Sequence, residues 1–307
     1  MCMRNWLLAA TVLTLVGCLI FAGVMTTLGW DFTKLSTMNM ETNEHKVIQN
    51  FQNISVMTDT ADVTIVPAES DETKVICTER EKVQHTVTVQ DGTLMVELVD
   101  TRAWYEYIGI VFDTPKITVY LPAGAYEDLS VHTSTGDTHI SDHLTFKNMT
   151  VSQSTGDVTN RAAVSGTAKI TTDTGDICVE NTSADTMVLT VSTGDVSVEE
   201  VKCRAFTSVG DTGDITLENT LVAGKLYIER STGDVQFDDC DAAELLIVTD
   251  TGDVRGSLLT PKLFNAQTDT GKVDVPKSAE GGSCEVVTDT GDICLTLAQY
   301  AAGTIIR

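Results

Sequence analysis

Apolar and polar residues alternate over most of this chain, and one short turn punctuates the alternation. Between residues 134 and 292 a tetrapeptide of Ser or Asp, then Thr, Gly, and Asp or Lys is written nine times. Its glycines are Gly136, Gly156, Gly175, Gly194, Gly213, Gly233, Gly252, Gly271 and Gly291, spaced by 19 or 20 residues. Aligned on the glycine, the fifth residue before it is apolar in most repeats (Val131, Val151, Ile170, Leu189, Ile228, Ile247, Val286), with Ser208 and Ala266 as departures. The seventh before and the second and fourth after are also mostly apolar, and residues such as His139, Thr159 and Ser197 stand between the last two. Alternation with period two on both sides of a glycine predicts strand, turn, strand. Glycine reaches positive φ without steric cost, and the flanking Thr, Ser and Asp side chains hydrogen-bond within a turn.

A fixed period of this length marks a solenoid, in which no coil buries its own apolar face. Each coil is expected to stack on the one before it, with parallel strands about 4.8 Å apart. The predicted fold class is all-β: a parallel right-handed β-helix with 19–20-residue coils, since parallel crossovers are right-handed.

The flanks give the domain plan. Residues 5–30 carry no charge and are mostly apolar, long enough to span a bilayer with some tilt. Arg4 before the span and Asp31 after it favour an inside N-terminus and an outside remainder. A cleaved signal peptide, or lipoprotein processing at Cys18, is the rival reading. The apolar run continues well past Cys18, which favours an uncleaved anchor. The plan is a transmembrane anchor over 1–30 and a juxtamembrane linker over 31–50. Irregular coils, a hairpin at Asp91-Gly92 and an aromatic insertion follow over 51–128, capping the solenoid, and regular repeats over 129–307. Asp59-Thr60-Ala61-Asp62-Val63 reads as a degenerate first turn with Ala61 in the glycine position.

Composition narrows the function. The net charge of −24 opposes binding to phosphate backbones, so no nucleic-acid partner is expected. Of the eight cysteines, Cys178 and Cys294 share an outward column but lie too many rungs apart to bridge, Cys77, Cys203 and Cys240 fall in different columns, and no C-x-x-C occurs, so neither a disulfide framework nor a structural zinc site is expected. No G-x-S-x-G, P-loop or H-E-x-x-H occurs, and the 20 Lys and Arg are scattered; no catalytic residue and no cofactor are assigned.

The aspartates after the glycine are the sharpest chemical feature. Asp137, Asp157, Asp176, Asp195, Asp214, Asp234 and Asp253 would stack at rung spacing, where neighbouring carboxylates repel by roughly 1 kcal/mol in water. A calcium-binding edge is one way to offset this. Hydrogen bonding of each carboxylate within its own turn is the other and is favoured, because Lys272 interrupts the column and the repeat does not match the nonapeptide calcium motif. Trp104, Tyr105 and Tyr107 either form a binding patch or, as favoured here, plug the open end of the solenoid. His132, His139 and His143 fall in one coil without a repeated ligand spacing.

With the apolar anchor, the DTADV coil, the YIGI segment and the iterated STGD and DTGD turns, residues 45–297 resemble the bacterial "putative adhesin" domain family of unknown function. The resemblance implies a parallel β-helix displayed outside the cell and no catalytic residues. The reading is a membrane-anchored extracytoplasmic β-solenoid, single-pass, serving as an adhesin or surface interaction scaffold with an unidentified protein or glycan ligand. A sensor or regulatory domain of an envelope stress response is the alternative, and a carbohydrate-active enzyme is less favoured.

Overall fold

A computed structural model describes residues 3–30, 40–103 and 114–298. The apolar N-terminal run forms helix α1 (Met3–Thr27), and Ala10–Thr27 within it is long and apolar enough to cross a membrane. Every other element among the described residues is a strand.

Strands of the repeats pair in parallel and in register. The column five residues before each glycine runs Val131, Val151, Ile170, Leu189, Ser208, Ile228 and Ile247 as direct cross-strand partners. These residues are buried, and with the columns seven before and two after the glycine they form one continuous core. Burying such a row removes about 25 cal/mol per Å² of apolar surface from water, which no single coil could do on its own face.

The glycines carry the close approach between coils. Gly194 has φ +144°, and a Cβ added there would lie 2.2 Å from the carbonyl oxygen of Gly175. Ala61 occupies the equivalent place next to Gly136, with its amide bonded to the Thr135 carbonyl.

Stacking is not sequential at either end, contrary to the expectation that each coil lies on its predecessor. Strand Gly282–Thr290 inserts between the C-terminal half of strand Val235–Thr251 and strand Lys262–Thr270, giving the order Ile247, Val286, Ala266. The turns follow: the Gly252 amide donates to the Thr290 carbonyl, and the Gly291 amide to that of Thr270. The rung of Gly271 is therefore the outermost among the described residues at this end, although Gly291 comes later in the chain.

The N-terminal end repeats the device. The elements there are β1 (Met40–Val47), β2 (Asn53–Met57), β3 (Asp62–Pro67), β4 (Thr73–Arg80), β5 (Val83–Gln90), β6 (Thr93–Asp100), β7 (Lys116–Leu121), β8 (Ala125–Thr135) and β9 (Thr138–Ile140). β2 lies between β6 and β8, and β3 between β7 and β9, all parallel. The hairpin β5–β6 turns at Asp91 and Gly92, both at positive φ, and packs across this end.

Part of the segment read as a linker over 31–50 is a strand. Met40–Val47 is strand β1, antiparallel to β4. Its polar sequence hid it because it is an edge strand with only one covered face.

Candidate functional site

The aspartate column forms a ladder, though not the one expected from a single turn. Oδ1 of Asp62 accepts the amide of Asp137, Asp137 that of Asp157, Asp157 that of Asp176, and the pattern continues through Asp195, Asp214, Asp234 and Asp253. The distances run from 2.8 to 3.2 Å in these bonds. The partner lies one rung away, because the backbone following each glycine points its N–H along the stack. These charge-assisted bonds tie successive rungs together and offset the repulsion between carboxylates. The ladder then follows the spatial order, from Asp253 to the Asp292 amide and from Asp292 to the Lys272 amide. Lys272 is the last member, which explains the one residue that breaks the column in the sequence.

A further inward column escaped the sequence reading. Three residues before six of the nine glycines stand Thr133, Gln153, Thr172, Arg230, Thr249 and Thr288, all buried, with Val191, Gly210 and Thr268 in the other three places. Two of the threonine hydroxyls donate to glycine carbonyls of a neighbouring rung, Thr172 to Gly156 at 3.3 Å and Thr288 to Gly252 at 3.2 Å, while Thr133 donates to the Thr135 carbonyl at 3.2 Å. Arg230 is the exception in size and charge. Burial pushes its guanidinium down to about 10, with Asp195 acting in the opposite direction.

The other expected residues do not gather into a site. His139 lies 3.5 Å from Ser141, and His143 pairs with Asp142 at the surface. Trp104, Tyr105 and Tyr107 lie outside the described residues. The described cysteines are all free thiols.

Chemistry concentrates instead at the N-terminal end, on residues the sequence reading passed over. Cys77 and Glu79 alternate onto the buried face of β4, and His85 lies on the buried face of β5. Their thiol sulfur, carboxylate oxygen and ring nitrogen all lie within 4.8 Å of one another. Glu79 Oε2 takes both the backbone N–H of His85, at 2.7 Å, and its Nδ1, at 2.8 Å. The far atoms of the two side chains are held separately: Glu79 Oε1 accepts from Asn43 Nδ2 at 2.8 Å, and His85 Nε2 bonds Thr58 Oγ1 at 2.9 Å. Burial, aided by the Glu79 carboxylate, pushes the Cys77 thiol up to about 12. A motif search misses the trio because its spacing matches no metal or catalytic signature. The antiparallel pairing around β4, with no repeat to reveal it, assembles these residues.

Beside this end runs an open groove of about 1080 Å³ whose lining includes Glu44, Lys46, Glu72, Lys74, Tyr120 and Asp142. Lys74 Nζ sits 4.5 Å from the centre of the Tyr120 ring.

The profile of the Toastrack DUF4097 family matches residues 51–238 and 194–305. Among solved structures, a "putative adhesin" from Bacteroides fragilis NCTC 9343 is similar at 16% identity and a TM-score of 0.51, over 84% of this chain and 97% of that one. A second "putative adhesin", from Parabacteroides merdae ATCC 43184, gives 14% identity and a TM-score of 0.54 over 85% and 98%. A "putative lipid binding protein" from Parabacteroides distasonis ATCC 8503 gives 14% and 0.53 over 85% and 98%. At these identities the likeness is one of fold. None of the curated proteins matches the chain.

Proposed function

The chain belongs to the Toastrack DUF4097 family, and from that premise we propose that it is a membrane-anchored, extracytoplasmic surface scaffold of the adhesin type that carries out no catalysis. The observation that supports this reading most is the join of one apolar helix to a solenoid whose interior is filled by side chains. Among the described residues the interior is packed with side chains, which favours recognition on the outside. The groove around Tyr120 is the concave surface for a protein or glycan ligand, and the aspartate ladder is structural and does not hold calcium.

The exposed thiol of Cys294 provides the test. On intact cells, a membrane-impermeant maleimide is expected to label Cys294 in the wild type but not in Cys294→Ser, with the protein retained in alkali-washed membranes. Labelling only after permeabilisation would place the solenoid inside and end this reading. Ligand class is then read from glycan and protein arrays probed with the full chain in detergent, with Tyr120→Ala as the groove variant.

A further inference from the structure

We propose that Cys77, Glu79 and His85 form a binding site for a divalent cation of the zinc class, buried in the N-terminal end of the solenoid. The donor set is a thiolate, a carboxylate oxygen and an imidazole nitrogen, the three ligand types that zinc takes from proteins. The three atoms lie within 4.8 Å of one another and are buried. A tetrahedral zinc ion holds such atoms roughly 3.3–3.7 Å apart, given bond lengths of about 2.0–2.3 Å. Small side-chain rotations therefore suffice, with no strand movement.

Three further observations favour an ion over a simple buried pair. First, the outer atoms of both polar ligands are already fixed. Asn43 holds Glu79 Oε1 and Thr58 holds His85 Nε2, while Oε2 and Nδ1 face inward. This is the arrangement by which outer partners set ligand tautomer and orientation in metal sites. Second, the charges balance: one divalent cation against one thiolate and one carboxylate leaves the buried group neutral. Third, the β1–β4 register sets His45 diagonal to Cys77, and its Nε2 is buried without a hydrogen-bond partner. On binding, the thiol proton leaves to solvent. His85 then carries its ring proton on Nε2, donating it to Thr58 Oγ1, while Nδ1 takes the ion.

The test uses the untagged full chain in detergent, stripped with chelator and reloaded with Zn²⁺ or with Co²⁺ as a spectroscopic probe. Elemental analysis after dialysis is expected to find about one ion per chain, and the cobalt form to show thiolate-to-metal absorption in the near ultraviolet. Cys77→Ser, close to isosteric, is expected to lose the absorption and weaken retention at least tenfold, as ligand loss does. Cys178→Ser and Cys294→Ser are expected to keep both. Chelation is expected to lower the thermal midpoint of wild type but not of Cys77→Ser. The proposal falls if the wild type retains no ion, or if the cobalt absorption survives in Cys77→Ser; both readings apply to folded protein, checked by its circular dichroism.

Discussion

Inside the solenoid, Ser208 Oγ accepts a hydrogen bond from Nη2 of Arg230 one rung away, at 2.9 Å. Ser208 stands in a column otherwise filled mostly by Val, Ile and Leu, and Gly210, two residues on, is the direct cross-strand partner of Arg230. A Cβ on Gly210 would lie 2.7 Å from Arg230 Nη1. Two departures from the repeat in one coil are thus explained by a single large cation in the next.

Ser208→Val removes the hydroxyl that accepts from Nη2 and is expected to destabilise by about 1–3 kcal/mol, the usual result of leaving a buried donor unmatched. Arg230→Met alone leaves the Ser208 hydroxyl unmatched. The double variant replaces both polar groups by apolar ones and is expected to be at least as stable as wild type. Urea unfolding of all four proteins closes the cycle; additive effects would show that the pair is not coupled.

Gly194→Ala forces a Cβ to 2.2 Å from the Gly175 carbonyl oxygen at a φ of +144°. We expect a loss of about 3 kcal/mol or more. Gly124→Ala, where a Cβ meets nothing within 4 Å, should change stability by less than about 0.5 kcal/mol. Equal thermal midpoints for the two variants would contradict the close stacking of the turns.

In the aspartate ladder, Asp195 Oδ1 accepts the amide of Asp214 at 2.8 Å. Asp195→Asn keeps an acceptor oxygen and removes a charge from an acidic edge, so it is expected to be neutral or slightly stabilising at low salt. Asp195→Ala is expected to lose about 1 kcal/mol. A thermal midpoint that rises on adding calcium to wild type but not to either variant would instead assign the edge to the cation.

On the surface, Glu180 accepts from the Cys178 thiol and from Arg161 Nε, and these contacts, the thiol foremost, hold its carboxyl below the ordinary 4.5. A depressed folded value means that the stabilisation is present above pH 4.5 and is lost as pH falls through the lower folded value. Glu180→Gln is therefore expected to flatten the acid limb of the stability curve below about pH 4.5 while leaving its shape at neutral pH unchanged. An unaltered acid limb would rule out this linkage.

The regular coils were legible because their period survives in the sequence: Val151, Ile170 and Leu189 recur at fixed spacing and become cross-strand partners. The order of the terminal coils was not. Exchanging two rungs leaves every residue in its column, so Gly271 and Gly291 look alike in sequence whichever lies outside. Only Lys272 hinted at it. The polar column of Thr133 and Thr172 was missed because inward threonines, bonded to backbone carbonyls, look like solvent-facing ones in sequence. The Cys77, Glu79 and His85 cluster was invisible for another reason. Antiparallel strands outside the repeat bring it together, and no spacing rule describes them.

A solenoid of sequentially stacked coils frays from its tips, one layer at a time. Here, among the described residues, the last coil in the sequence is not the outermost layer. The coil around Gly291 is gripped on both faces, by those of Gly252 and Gly271, and β2 is held in the same way between β6 and β8. Tension applied at the C-terminal tail must shear a clamped layer free before anything peels, and single-molecule pulling is expected to show one high force peak ahead of the small regular steps.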